Sequence, residues 1–179
     1  MNFRILIMSV FVGFTLLSCT MKNSEVKEKK TVKIFSLEQD LLANGYEKIA
    51  LDKLPSGHLH FKLKLNGVIG SFILDTGAGA TVVEEKRQDK FKMKVVKSDE
   101  IATGAGGTDI QTHESNNNLI VINSLTLKDY KLILMSLDYV NQALVSMEIE
   151  EVDGIVGADI LEEKEAIIDY SNLVLYLKK

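Results

Sequence analysis

Residues 72–83 read Phe-Ile-Leu-Asp-Thr-Gly-Ala-Gly-Ala-Thr-Val-Val. Three bulky apolar residues run directly into Asp75, a pattern expected of a strand buried on both faces at that end. Asp75 is therefore a carboxylate leaving the protein interior. Gly77 has no side chain, so backbone and substrate can approach closely there. The Thr76 hydroxyl can hydrogen-bond locally and brace the loop. Just upstream, Leu59, Phe61, Leu63 and Leu65 alternate with His58, His60, Lys62 and Lys64. That alternation predicts a strand with one buried face. Asn66-Gly67 follows, a two-residue hairpin signal because both positions tolerate positive φ. The return strand, Val68–Leu74, delivers Asp75.

Further strands are expected at Lys94–Lys97, Ile110–Thr112, Leu119–Ile122, Tyr130–Leu134, Ala166–Asp169 and Leu173–Leu177, with Ser171-Asn172 turning the last two into a hairpin. A helix is expected over Phe35–Asn44, capped by Ser36, with Gln39 at the capping-box position, Gly45 at its end, and Leu37, Leu41 and Leu42 on one face. A second helix is expected over Tyr139–Met147, capped by Asp138, and a single turn near Ile160–Lys164. Many short strands separated by turn residues predict a small, mostly β barrel or sandwich. No motif recurs and no repeat period is present.

The chain has 179 residues, 46% hydrophobic and 26% charged, enough for one domain with a sizeable core. Its net charge of −4 argues against a dedicated nucleic-acid binder, which would carry a basic face. One cysteine excludes an intramolecular disulfide and a Cys-rich zinc site.

That cysteine falls at position 19. Met1–Cys19 carries one early cation, Arg4, then an apolar run over Ile5–Leu17 that matches a signal-peptide core and is short for a bilayer span. It ends Leu16-Leu17-Ser18-Cys19, which resembles the bacterial lipobox. The resemblance implies a lipoprotein signal peptide over 1–18, cleavage before Cys19 and lipid on its sulfur. Residues 20–33 hold five Lys against two Glu, whereas the remainder holds 15 basic against 23 acidic residues. A short polar stretch cannot bury apolar area, so 19–33 reads as a disordered tether and 34–179 as the folded domain. The expected location is the bacterial cell envelope, outside the cytoplasm, with the tether's charge able to rest on anionic lipid.

With Phe-Ile-Leu before it, Asp75-Thr76-Gly77-Ala78 resembles the active-site loop of the retropepsin-like aspartic proteases. In that family a later hydrophobic-hydrophobic-Gly packs behind the loop and precedes a short helix. Ile155-Val156-Gly157 matches it, with Ala158–Leu161 as the helix. A glycine-rich hairpin flap lies between the two motifs, and Gly104-Ala105-Gly106-Gly107 falls in that place. The order of parts matches from Gly57 to Lys179. The resemblance implies a closed, mostly β barrel with a glycine-rich flap and one or two short helices. It implies an aspartic endopeptidase with Asp75 as the catalytic acid, and no metal or organic cofactor. The chain holds one Asp-Thr-Gly; Asp153-Gly154 and Asp169-Tyr170 lack the continuation. The mechanism needs two carboxylates, so a homodimer is implied, with Thr76 bracing the pair and a peptide or protein as substrate. The alternative is a catalytically inactive peptide-binding or scaffold lipoprotein on the same fold. One departure stands out: Ala78-Gly79-Ala80-Thr81 follows where many members have Ala-Ser or Ala-Thr, which points to a wider or looser loop.

Other patterns fall short. Gly77-x-Gly79 lacks the third glycine of a dinucleotide turn. Gly104–Gly107 is not followed by Gly-Lys-Ser/Thr. His58 and His60 share a strand face and read as solvent-facing rather than as metal ligands. Ser71, Ser124 and Ser136 have no nucleophile-elbow context. The acidic run Glu148–Asp153 reads as a solvated loop, and Met135 and Met147 as core filler.

Overall fold

A computed structural model describes residues 36–104 and 107–179; the signal-peptide, Cys19 and tether expectations lie outside them. The elements run α1 (Leu37–Ala43), β1 (Tyr46–Ala50), β2 (Asp52–Lys53), β3 (Leu59–Leu65), β4 (Val68–Leu74), β5 (Val82–Glu84), β6 (Val95–Gly104), β7 (Gly107–Ile122), β8 (Leu125–Met135), α2 (Asp138–Val145), β9 (Gly154–Val156), α3 (Ala158–Glu163), β10 (Ile167–Asp169) and β11 (Val174–Lys178).

The expected hairpin is β3–β4, paired from Leu59↔Leu74 to Leu65↔Val68. Asn66 and Gly67 turn it with φ of 51° and 84°, the left-handed pair that matches the twist of the flanking strands. Beyond β4 the sheet continues through β9, β5, β8 and β7. Strand β7 then pairs back to β3 through Lys64↔Val121 and Leu65↔Ile120. The pairings therefore run in a ring, the mostly β barrel expected. Its interior takes the inward positions of each strand: Phe61, Leu63 and Leu65 from β3, Phe72 and Leu74 from β4, and Ile120, Ile122, Leu132 and Leu134 from β7 and β8. A separate sheet, β1–β11–β10, joins the two ends of the domain.

Several expectations need correction. In α1 only Leu41 is buried; Leu37 and Leu42 are exposed, because the small patch of Val174 and Tyr176 beneath the helix accepts one leucine. Strand β1 has no counterpart among the expected strands; it forms against β11 from the far end of the chain, with Ile49 facing inward. The segments Ile110–Thr112 and Leu119–Ile122 are one strand. Its polar middle carries an irregularity between Ser115 and Asn118. There the Asn118 amide donates to Ser115 O at 2.9 Å and Tyr130 O at 3.1 Å, so the polar run is satisfied inside the sheet. Helix α2 begins at Asp138, which does not cap it: the preceding Leu137 is the cap residue, without a side-chain bond, and Asp138 pairs with Lys86. The helix ends at Val145, and Met147 is half exposed rather than core.

The acidic run is not all solvated. Val152 and Asp153 are buried. Asp153 accepts from Ser71 N at 2.9 Å and Lys90 Nζ at 2.7 Å, with Arg87 Nε at 3.4 Å. Two cations and a backbone N–H make burial of this carboxylate tolerable. His60 is buried too, with Nε2 2.5 Å from Ser71 Oγ. Burial holds its ring below the usual histidine range, Asp52 opposing and Lys62 adding to the shift.

Candidate active site

Strand β4 carries Asp75 to the end of the barrel beside the parallel β9, with Phe72↔Gly154, Ile73↔Ile155 and Leu74↔Val156 in register. Asp75 N donates to Val156 O at 3.0 Å, so the last ladder bond fixes the acid's own backbone. Beyond it the chain turns tightly: Ala78 N donates to Asp75 O at 3.3 Å, and Gly77 N to Asp75 Oδ1 at 2.8 Å. Asp75, Thr76 and Gly77 are exposed. A carboxylate so held is aimed outward with one oxygen already accepting a backbone N–H.

The root of the loop is locked from behind. Ala158 N donates to Ala78 O at 2.7 Å. Thr81, 2% exposed, donates its hydroxyl to Asp159 Oδ1 at 2.6 Å and accepts from Gly157 N at 3.1 Å. Asp159 Oδ1 also accepts from Ile160 N at 2.8 Å. Ile155-Val156-Gly157 therefore does stand behind the loop, and Gly157 has a steric reason to lack a side chain. A Cβ there would sit 2.5 Å from both C and O of Ala80 and 2.8 Å from Ala78 O. The run Ala78–Thr81 is accordingly pinned, not loosened. Thr81 and Asp159 are site-building residues that the sequence reading did not single out; the one signal is a polar β-branched residue heading the apolar Val82-Val83. Nearby, burial pushes the Tyr130 hydroxyl well above the usual phenol range, with the Asp159 and Glu163 carboxylates adding to it.

Gly104 pairs with Gly107 across the tip of the β6–β7 hairpin, where the flap was expected; Ala105 and Gly106 lie outside the described residues. Ala102 of β6 lines a cleft of about 370 Å³ together with Asp75, Gly77 and Ala78. Ile73, Val82, Ile133, Ile155 and the start of α2 complete its walls, and His58 stands in it as well. Among the described residues that line it there is no Lys or Arg, and Asp75 is the only carboxylate. Among the described residues, no three His, Cys, Asp or Glu side chains are grouped to hold a metal ion.

A sequence profile described as Aspartyl protease matches residues 61–160, more than half of the chain. The chain belongs to the aspartyl protease family. The matched span opens inside β3 and closes in α3, so it contains most of the β3–β4 hairpin, Asp75, strands β6 and β7 and Ile155-Val156-Gly157 of this aspartyl protease domain. One solved structure supports the retropepsin-like fold. A retropepsin-like aspartic protease from Rickettsia conorii is 20% identical with a TM-score of 0.51, over 74% of this chain and 92% of that one. EIAV protease, complexed with the inhibitor HBY-793, is 19% identical with a TM-score of 0.45, over 58% of this chain and 85% of that one. The retroviral protease-like domain of Ddi1 from Leishmania major is 12% identical with a TM-score of 0.44, over 67% and 94%. A search of curated proteins found no match.

Proposed function

We propose that this family member is an aspartic endopeptidase whose centre is completed by a second copy of the chain, each copy giving one Asp75. The observation that carries the reading is Asp75 itself: an exposed carboxylate on a backbone-locked loop, facing a mostly apolar cleft whose described residues include no other acid. Two such carboxylates in contact cannot both ionise easily, so they share one proton. The ionised member takes a proton from a water molecule, whose oxygen then attacks the peptide carbonyl. The protonated member polarises that carbonyl, and the amine is protonated as the C–N bond breaks. Thr76, exposed next to Asp75, braces the pair across the two-fold axis, and the Gly104–Gly107 hairpin covers the substrate. The domain works in the cell envelope, tethered through lipid on Cys19, and tethering raises the local concentration that pairing needs.

The test is digestion of a peptide library by wild-type protein and Asp75→Asn in parallel, across pH and protein concentration. Cleavage that is lost in Asp75→Asn and whose specific rate rises with protein concentration is expected. Equal cleavage by both proteins would overturn the assignment.

A further inference from the structure

The outer face of the barrel is unevenly charged. Residues 34–179 hold 15 basic against 23 acidic residues, yet four adjoining strands gather lysines on one face. Ile69 of β4 pairs with Lys64 of β3, Lys64 with Val121 of β7, and Val121 with Thr126 of β8. Residues paired in this way share a sheet face. Their chain neighbours Leu65, Ile120 and Leu127 are buried in the core, so the row looks outward. Lys62 and Lys128 stand two positions along from it, on the same face by the period of two. All three lysines are exposed, and Ile69 is 57% exposed between them.

None of these lysines forms an ion pair with a described acid. The groove bounded by Lys62, Lys64, Ile69 and Val121 has no acid among its described lining residues. Two acids stand at its rim: Glu47, which pairs with Lys179 at 2.8 Å, and Asp129, next to Lys128 in the chain. The adjoining groove differs, since its Arg87 and Lys90 are both held by Asp153. An exposed apolar tip among unpaired lysines suits an anionic bilayer, which takes the ammonium groups at its headgroups and the tip at the acyl boundary. The acidic surplus on the rest of the domain is repelled by the same lipid, so this face is the one turned toward it.

We infer that the Lys62–Lys64–Lys128 face, with Ile69 at its centre, docks the domain on an anionic lipid surface. Ile69 lies six residues before Asp75 along β4, about 20 Å away, so docking leaves the cleft and the Asp75 loop uncovered. The chain between Cys19 and Ser36 reaches at most about 60 Å, so an anchored domain stays within reach of the bilayer. The face does not depend on the anchor, nor on the peptidase reading.

The experiment is lysine footprinting of the full-length protein mixed with vesicles. One set is phosphatidylcholine alone; the other contains about a third phosphatidylglycerol. An amine-acylating reagent is added briefly, and the rate at each lysine is read by mass spectrometry. A lysine near an anionic surface favours contact about fivefold, so three together favour it on the order of 100-fold. Acylation of Lys62, Lys64 and Lys128 should therefore slow at least about fivefold on the anionic vesicles. Lys53 and Lys97, exposed on β2 and β6, should react equally on both. The protection should vanish at about 1 M salt, where screening shortens to about 3 Å. Lys62→Glu with Lys64→Glu should abolish it at Lys128, and Ile69→Ser should weaken it severalfold. Equal rates at Lys62, Lys64 and Lys128 on the two vesicle types, or protection that survives the double charge reversal, would overturn the inference. Retention on phosphatidylcholine vesicles reports the anchor alone. A chain not retained there but protected on the anionic vesicles would refute the anchor and uphold the face.

Discussion

Gly157→Ala is the sharpest probe of how the loop is held. The added Cβ would meet the C and O of Ala80 at 2.5 Å and Ala78 O at 2.8 Å, where ordinary contact begins near 3.4 Å. All three atoms are backbone, so no side chain can swing aside. The loop must shift by most of an ångström or Gly157 must withdraw, and either movement stretches the 3.1 Å bond from Gly157 N to Thr81 Oγ1. Overpacking of this kind costs about 1–3 kcal/mol, and loss of the hydrogen bond adds about 1 kcal/mol. A total of about 2–4 kcal/mol lowers Tm by about 5–15 °C in a domain of this size. Peptidase activity should fall about 100-fold, since Asp75 hangs from the same loop and small misplacements of reacting groups are costly. Gly79→Ala is the internal control: it lies in the same loop, but a Cβ there meets nothing within 4 Å, so its stability should stay within about 0.5 kcal/mol of wild type. Scanning calorimetry on the two variants decides the matter. A Gly157→Ala protein melting within a degree or two of wild type, or a Gly79→Ala protein equally damaged, would refute the reasoning.

Thr81→Ala removes a buried hydroxyl that serves both Asp159 and Gly157 N; it should cost about 1–3 kcal/mol in urea unfolding, with Thr81→Ser recovering most of it. Asp153→Ala strips the Lys90 and Arg87 side chains of a buried partner and frees Ser71 N. Chemical denaturation should show a loss of about 2–3 kcal/mol, below the fully buried case because both cations reach solvent. His60, whose folded value is lowered chiefly by burial, takes up a proton more readily in the unfolded chain. Its contribution is therefore complete above about pH 6.5, the ordinary histidine value, and is lost as pH falls through the folded value. A pH series of unfolding midpoints should show that slope flattened in His60→Gln.

What was legible in the sequence was what neighbouring residues decide. The Leu59–Leu74 hairpin follows from a period of two and from Asn66-Gly67, and Asp75 from the apolar run ahead of it. The unread parts depend on partners far along the chain. Tyr46–Ala50 becomes a strand because Val174–Lys178 lies beside it. Asp153 sits in an acidic run that looks solvated, and only the fold brings Lys90 and Arg87 to it. Thr81 and Asp159 are ordinary residues until β4 and β9 align and place one behind the other. The wall carrying Tyr139 was legible as a helix, but not as a side of the cleft, because nothing local tells which face of the barrel end it covers.

The same geometry bears on why one chain does not suffice for the proposed chemistry. Asp153 and Asp169, neither followed by Thr-Gly, are engaged elsewhere: Asp153 is buried among cations, and Asp169 accepts from Ser171 N and Asn172 N at 3.0 Å each. Neither lines the cleft, where Asp75 is the single carboxylate among the described residues. A single carboxyl group cannot serve at once as the base that activates water and the acid that polarises the carbonyl. The loop that locks Asp75 so firmly to its own barrel presents it outward, beside an exposed Thr76. An arrangement rigid at its root and open at its tip suits an acid whose counterpart arrives from another molecule, because the cost of fixing its position is met before the two meet.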